Sequence, residues 1–278
     1  NVDGFGVGWY SDVPAKYSIG KDEEGGASGL LPTVYRCDKP PKHDLNLVSL
    51  CLTLESKCIM AHLRAVSRDS LQGSPLSNTN NHPFQFGKYL FQHNGGIANF
   101  TKIQPRLLMM LSEDARAQIQ GTTDSEHFAA LFFTFLSPSS AHWNSPITLS
   151  HLLATLRRTI STVLSLIAET GGYSFTSSGR PTSWCSLNLA ITSGTQLLCN
   201  RFADPPEREP PSLYWSTTSG ATLDRRFKGH PDGESAGRRD GPYARESRGS
   251  HVVVASEPMT RGEDDQWHLM EPNTVLLV

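Results

Sequence analysis

The order in which strand-like and helical hydrophobic patterns follow one another most constrains how this chain can fold. Apolar residues recur at helical spacing over 124–135 and 150–167, and a shorter helical pattern covers 105–111. Short apolar runs typical of strands stand before and after these helices, at 58–62, 89–91, 187–192, 196–200, 212–215, 251–256 and 274–278. Strands that precede and follow one helical block predict an α+β domain with layered sheets.

Local signals at helix ends and turns sharpen this prediction. Thr123, followed three residues later by Glu126, has the sequence of a capping box. In that motif the threonine hydroxyl accepts from the Glu126 amide and the glutamate side chain reaches back. Pro105 fits the first turn of a helix. Asn94-Gly95 predicts a sharp turn after the preceding strand, because both residues tolerate positive φ.

Glycines alternate with bulky residues close to the start of the chain. Gly4, Gly6 and Gly8 occupy every second position of DGFGVGWY. Glycine inside a strand often marks a place where another backbone or side chain comes close. We therefore expect this strand to lie directly against another segment.

The length and composition indicate one folded domain with a polar insertion. A chain of 278 residues can bury a substantial core, and we expect residues 1–278 to form a single domain. Segment 219–250 is dominated by Arg, Gly, Asp, Glu and Ser and contains no Val or Ile. Such a segment buries too little apolar surface to offset its ordering entropy, so we expect a disordered insertion there.

Charge and cysteine usage narrow the possible partners and location. A net charge of −2 gives no positive field that would favour nucleic acid or an anionic membrane. No run of 18 apolar residues is present, so we expect no transmembrane helix and no membrane partner. Five cysteines without a CxxC pair favour a reducing compartment, and we expect a cytoplasmic protein.

Polar residues at the ends of predicted elements suggest a site for an amino-acid amide. Arg64 follows a strand and can grip a carboxylate with two parallel hydrogen bonds. Asp124 opens a helix and has the charge that suits an ammonium group. Asn94 and the Gly95 amide offer two donors, the arrangement of an oxyanion hole for acyl transfer. Together these groups fit the γ-carbonyl of glutamine or of a γ-glutamyl compound.

Two other classes of function remain open. The chain has ten histidines, but no HExxH or similar paired spacing favours a metal hydrolase, and we expect no metal and no cofactor. A non-catalytic interaction module is the second alternative, with segment 219–250 acting as a partner-binding loop.

Eight sequence blocks make the comparison with a known family specific. They are DGFGVGWY (3–10), AHLRAVS (61–67), NNHPF (80–84), FQHNGGIANF (91–100), GTTDSEHF (121–128), LNLAITSG (187–194), VVVASEP (252–258) and WHLMEPNTVLLV (267–278). In this order they resemble class II glutamine amidotransferases, which are N-terminal-nucleophile hydrolases. The branch most similar includes the amidotransferase subunit of the fungal glutathione-degradation complex.

The resemblance implies a fold and a role for each candidate residue. The fold would be a four-layer αββα sandwich. Arg64 would bind the substrate α-carboxylate, and Asp124 would bind its α-ammonium with help from the Gly95 carbonyl. Asn94, through its side chain, and Gly95, through its amide, would form the oxyanion hole. His82 would shape the substrate-binding site.

The family's nucleophile has no counterpart in this sequence. In the family it is a cysteine exposed when the initiator methionine is removed, and its own α-amine serves as the base. DGFGVGWY would lie some tens of residues after that cysteine, so we expect the first strand and the nucleophile to be missing and the chain to be N-terminally incomplete. A relative that lacks the nucleophile and acts as a binding or regulatory subunit is the alternative.

The resemblance also implies a substrate class and a partner. The activity would be hydrolysis of the γ-glutamyl amide or peptide bond of glutamine or a glutathione-like compound, as in glutathione catabolism. The partner would be a metallopeptidase-like subunit. The sequence does not separate a γ-glutamyl peptide from glutamine itself.

Overall fold

The structure is a computed structural model that describes most of the chain. The described residues are 3–11, 31–65, 75–218, 251–259 and 266–278. The predicted disordered insertion at 219–250 lies outside them.

Strands and helices follow one another as the hydrophobic patterns predict. The strands are β1 (Gly4–Tyr10), β2 (Pro32–Cys37), β3 (Ile59–Arg64), β4 (Phe84–Phe86), β5 (Tyr89–Gly96), β6 (Cys185–Thr192), β7 (Leu197–Arg201), β8 (Ala203–Asp204), β9 (Tyr214–Ser216), β10 (Val253–Ala255), β11 (His268–Leu269) and β12 (Thr274–Leu277). The helices are α1 (Leu45–Thr53), α2 (Phe100–Met110), α3 (Glu113–Ala117), α4 (Asp124–Leu136) and α5 (Leu149–Glu169). This confirms a mixed fold in which a helical block separates two strand-rich parts.

Within the described ranges, the strands form three antiparallel sheets. The largest has the order β12-β7-β6-β5-β4, with β8 also paired to β6. The two smaller sheets have the orders β2-β1-β3 and β10-β9-β11. The predicted hairpin is present as β6 and β7, and Gly194 in its turn has a φ of +89°.

The large sheet lies between the helices and the two small sheets. Alternate residues of a strand face opposite sides, and on β5 Phe91 packs in the main core with α4 and α5 while Leu90 packs against Tyr10 and Met60 of the first small sheet. The second small sheet covers Cys199 of β7 on the same side as Leu90. The site described below lies at the end of β5.

The alternating glycines of β1 allow this strand to touch the segment that follows β3. A Cβ added to Gly6 would stand 1.9 Å from the carbonyl oxygen of His82, and one on Gly4 would stand 2.7 Å from Asn81 Nδ2. At Gly8 the nearest atom would be a Leu90 methyl carbon, at 2.6 Å. The predicted close approach is therefore confirmed.

Several local predictions were wrong for identifiable physical reasons. Pro105 lies inside α2, which begins five residues earlier after Asn99, a residue in the left-handed conformation. Thr123 does accept from the Glu126 amide, but the Glu126 carboxylate accepts from the amides of Gln120 and Gly121 instead of reaching back to Thr123. Helix α1 and strand β2 were not predicted, because neither carries a clear apolar period.

Candidate active site

One cavity gathers the five residues singled out in the sequence. Arg64, His82, Asn94, Gly95 and Asp124 all line a space of about 1370 Å³. We call it the site cavity. Its other walls come from the segments around 182–186 and 208–211.

Asn94 and Gly95 continue β5 instead of ending it in a sharp turn. Both pair with β6, Asn94 opposite Asn188 and Gly95 opposite Leu187. Gly95 has a φ of +155°, and a Cβ at this position would lie 1.9 Å from the Ser186 carbonyl oxygen. Glycine is required here because the backbones approach so closely. The predicted turn is therefore wrong, and the glycine serves strand pairing at the mouth of the cavity.

His93 fixes this end of β5 to its neighbours. Its Nε2 lies 2.9 Å from the Ser186 carbonyl oxygen and its Nδ1 lies 2.8 Å from the Ser125 hydroxyl. A carbonyl can only accept, so Nε2 carries a proton and donates to it. The buried imidazole thus ties β5, β6 and the start of α4 together directly before Asn94. Only its place in the FQHNGG block could have indicated this role.

Asp124 is held by the backbone that follows the glycines of β5. Its Oδ2 accepts from the Ile97 amide at 2.8 Å, and its Oδ1 accepts from the Ser125 amide at 2.8 Å. As the first residue of α4, the carboxylate also benefits from the positive end of the helix dipole. These contacts hold the Asp124 carboxylate beside Ile97, two residues after Gly95. Lone pairs on the carboxylate oxygens are left for a cation.

Arg64 ends β3 and also lines the cavity. The side chain is buried and its Nη1 donates to the Pro75 carbonyl at 3.2 Å. Burial lowers the pKa of the guanidinium, and the nearby Asp3 carboxylate opposes this shift. Asn80 supports the same wall, donating to the Pro75 carbonyl at 2.9 Å while its Oδ1 accepts from the Thr122 amide at 2.8 Å.

His82 lines the cavity as part of a cluster of rings. Its ring centroid is 4.4 Å from that of His62 and 4.6 Å from that of Phe84. Neither ring nitrogen of His82 has a hydrogen-bond partner among the described residues. Burial, aided by the charges of His62 and His93, holds the pKa of His82 well below its usual range. The ring is therefore neutral and packs as an apolar group.

Two curated relatives match the sequence, whereas no family model matches it. The probable glutamine amidotransferase DUG3 of Saccharomyces cerevisiae is 29% identical over 281 residues, which span 100% of this chain and 70% of that protein. The gamma-glutamyl-hercynylcysteine sulfoxide hydrolase of Mycolicibacterium smegmatis is 29% identical over 134 residues, spanning 48% of this chain and 45% of the relative.

Solved structures agree on the fold. A glutamine aminotransferase class-II domain protein from Silicibacter pomeroyi has a TM-score of 0.58 at 20% identity, covering 98% of this chain and 86% of its own. A predicted glutamine amidotransferase from Pseudomonas aeruginosa has a TM-score of 0.52 at 18% identity, covering 99% and 84%. The resemblance to the class II glutamine amidotransferases is confirmed. The two curated relatives are named for glutamine amide transfer and for γ-glutamyl hydrolysis.

None of the five cysteines takes the place of an amidotransferase nucleophile in the site cavity. All five lie within the described ranges, and none lines this space. Burial raises the pKa of the Cys199 thiol to about 12 and raises that of Cys185 as well. Burial also raises the pKa of the Cys58 thiol. Thiols of this kind are poor nucleophiles because the thiolate is the reactive form.

The described part of the chain holds neither a cluster of metal-ligating side chains nor a membrane-spanning helix. No group of three or more His, Cys, Asp or Glu side chains there is arranged to hold a metal ion. None of the helices in these residues is long and apolar enough to cross a membrane.

Proposed function

We propose that the protein hydrolyses the γ-glutamyl amide or peptide bond of glutamine or of a glutathione-like compound. The observation that carries this proposal is the meeting of Arg64 and Asp124 in one cavity with Asn94 and Gly95. An α-amino acid presents a carboxylate and an ammonium on one carbon, and this cavity offers one partner of opposite charge to each. The γ-carbonyl of the same molecule would then reach the donors at the end of β5.

Each site residue has a role in this proposal. Arg64 binds the α-carboxylate, and Asp124, held by the Ile97 amide at 2.8 Å, binds the α-ammonium. The Asn94 side chain and the Gly95 amide stabilise the oxyanion that forms when the γ-carbonyl is attacked. His82 supports the wall beside Arg64 as a neutral ring.

The reaction needs a nucleophile, and the fold has a place from which one could come. Strand β3 pairs with β1 on one side, and β10 pairs with β9 on one side, so in the described residues each has an open edge. A cavity of about 850 Å³ runs between 57–62 and 251–256, with Ala190 and Cys199 among the residues of its floor. We call it the edge slot. Two facing open edges over an apolar floor suit one extended strand, which would pair on both sides.

The edge slot leads to the site cavity. His62 and Asn94 line both spaces. An extended segment in the slot would therefore end beside Asn94, where a terminal cysteine could attack the γ-carbonyl. This supports the proposal that a strand preceding Asn1 completes the site. The thiol would attack the γ-carbonyl and give its proton to its own α-amine, and a thioester would form as the C–N bond breaks and the leaving amine takes that proton. Water would then hydrolyse the thioester to the γ-carboxylic acid and the free thiol.

The protein isolated from its native source tests this proposal. Its N-terminal sequence and intact mass are measured first, and release of glutamate from L-glutamine and from γ-glutamyl peptides is assayed next. We expect a processed N-terminal cysteine and hydrolysis that falls about 100-fold in Asn94→Ala, the size of effect typical of a lost oxyanion donor. A native chain that starts at Asn1 and hydrolyses nothing would refute the catalytic part.

A binding or regulatory subunit without a nucleophile is the second candidate. It is favoured by the absence of all five cysteines from the site cavity. In that case the chain binds L-glutamine, Arg64→Ala abolishes the binding measured by calorimetry, and no glutamate is released by the native-source protein.

From the same resemblance we propose three finer points. They are the four-layer αββα arrangement, a cytoplasmic location and a metallopeptidase-like partner subunit. The partner is supported by helix α1, which has no buried residue and exposes Leu45 and Leu52. Co-purification from the native source, followed by mass spectrometry, tests the partner.

A further inference from the structure

The site cavity is larger than a free amino acid needs. Its volume of about 1370 Å³ exceeds the roughly 300–1,000 Å³ usual for small-molecule sites. The γ-glutamyl roles proposed above use only the walls formed by β3, β5 and the start of α4. The walls around Trp184 and Arg208 have no role so far.

Trp184 and Arg208 form a stacked pair on that unused wall. The Arg208 guanidinium carbon lies 3.8 Å from the Trp184 ring centroid, a cation–π contact that holds the cation in place. The indole is half-buried and the arginine is exposed to the cavity. The loop that carries Arg208 is closed by its amide, which donates to the Pro205 carbonyl at 3.0 Å.

Arg208 has no carboxylate partner in the part of the chain that the structure describes. The adjacent Glu209 is paired with Arg201, whose Nη2 lies 2.5 Å from Glu209 Oε1. Arg201 is buried and pairs with one oxygen of the Glu209 carboxylate. The Arg208 fork therefore faces the cavity with donors suited to a planar anion.

The pairing of β5 with β6 sets the distance from this pair to the oxyanion hole. Gly95 is opposite Leu187, and Trp184 lies three residues before Leu187 along the chain. At about 3.3 Å per residue, Trp184 is roughly 10 Å beyond the Gly95 pair. Two extended residues span about 7 Å and end in a carboxylate that adds to this reach, so a leaving dipeptide would bring its C-terminal carboxylate near Arg208.

We propose that Arg208, held by Trp184, binds a carboxylate on the leaving group, so that the substrate is a γ-glutamyl peptide with a free C-terminus. This inference rests on the proposed γ-glutamyl site and deepens it. Glutamine has no group that could reach Arg208, because its leaving group is ammonia. Arg208 is then a specificity residue, and Trp184 is a positioning residue that acts through it.

Calorimetric titration of three ligands into the purified chain tests the inference. The ligands are L-glutamine, γ-glutamyl-alanyl-glycine and the same tripeptide with a C-terminal amide. We expect the acid to bind about 10-fold more tightly than the amide. Arg208→Gln should bring this ratio close to 1 and leave the Kd of L-glutamine unchanged, and Trp184→Leu should lower the ratio as well. Arg157→Gln, on the exposed face of α5, is the matched control and should keep the full ratio.

The outcomes separate this inference from the proposed function. Binding of L-glutamine together with an acid-to-amide ratio near 1, or a ratio that Arg208→Gln leaves intact, overturns the role of Arg208 alone. Failure of all three ligands to bind overturns the γ-glutamyl site and this inference with it.

Discussion

His62 should make the protein less stable in mild acid, and replacing it should remove part of that effect. Burial, followed by the charges of His93 and Arg64, lowers the pKa of His62 from 6.5 to about 4. Below pH 6.5 the His62 side chain binds a proton in the unfolded chain, whereas in the native protein it stays neutral down to about pH 4. Stability is therefore lost as the pH falls from about 6.5 to about 4, and it levels off below that range.

The size of the effect follows from the shift. A pKa lowered by about 2.5 corresponds to a total loss of about 3 kcal/mol in the free energy of unfolding, since a pKa change of 1 is worth about 1.4 kcal/mol. Between pH 7 and pH 4.5 most of this loss has occurred, or about 2 kcal/mol. Burial, the largest cause of the lowered pKa of His82, remains in a His62 variant, so His82 adds to acid sensitivity there as well.

Urea unfolding, followed by tryptophan fluorescence at several pH values, measures the effect. Between pH 7 and pH 4.5 the wild-type free energy of unfolding should fall by about 2 kcal/mol more than that of His62→Gln. His43→Gln is the control, because His43 is exposed and lies far along the chain from the ring cluster. Identical pH dependence in the wild type and His62→Gln would refute the reasoning.

Three further substitutions probe how the fold holds the site. Gly95→Ala would place a Cβ 1.9 Å from the Ser186 carbonyl oxygen. We expect the free energy of unfolding in urea to fall by at least about 2 kcal/mol and L-glutamine binding to be lost. Normal binding would contradict the strand pairing. Thr123→Ala removes the N-cap of α4 and should cost about 1 kcal/mol in the same assay, whereas no change would show that the cap adds nothing. Tyr10→Phe removes a buried hydroxyl 2.9 Å from the Thr192 carbonyl and should cost about 1–2 kcal/mol, and an unchanged midpoint would argue against that hydrogen bond.

The helical block could be predicted from the sequence because its signals are local. The apolar periods of α4 and α5 and the hydroxyl of Thr123 act within a few residues, and the structure keeps them. The alternating glycines of β1 also carried a usable signal, since each one meets a close neighbour.

The remaining local errors come from contacts between distant segments. Asn94-Gly95 has the sequence of a turn, but pairing with β6 keeps it extended, and that pairing is set by residues almost a hundred positions away. Glu126 does not make the capping-box contact, because its carboxylate accepts from the amides of Gln120 and Gly121 instead.

The residue types of the site could be predicted from the sequence, but the walls of the cavity could not. The chemistry of Arg64 and Asp124 indicates an amino-acid clamp, and the structure brings both residues to one cavity. The contribution of Trp184 and Arg208 could not be predicted, because their stacking depends on how the loop after β8 folds back.

Binding of L-glutamine to Asp124→Asn, measured by calorimetry beside the wild type, tests the γ-glutamyl site most directly. Asparagine keeps an oxygen for the Ile97 amide, which the carboxylate accepts at 2.8 Å, but it removes the negative charge. Glu113→Gln, an exposed change in the first turn of α3, is the control. We predict that the wild type and the control bind L-glutamine and that Asp124→Asn binds at least about 10-fold more weakly, the loss expected for an ionic hydrogen bond. Equal affinity in Asp124→Asn, or no binding by the wild type, would contradict the account.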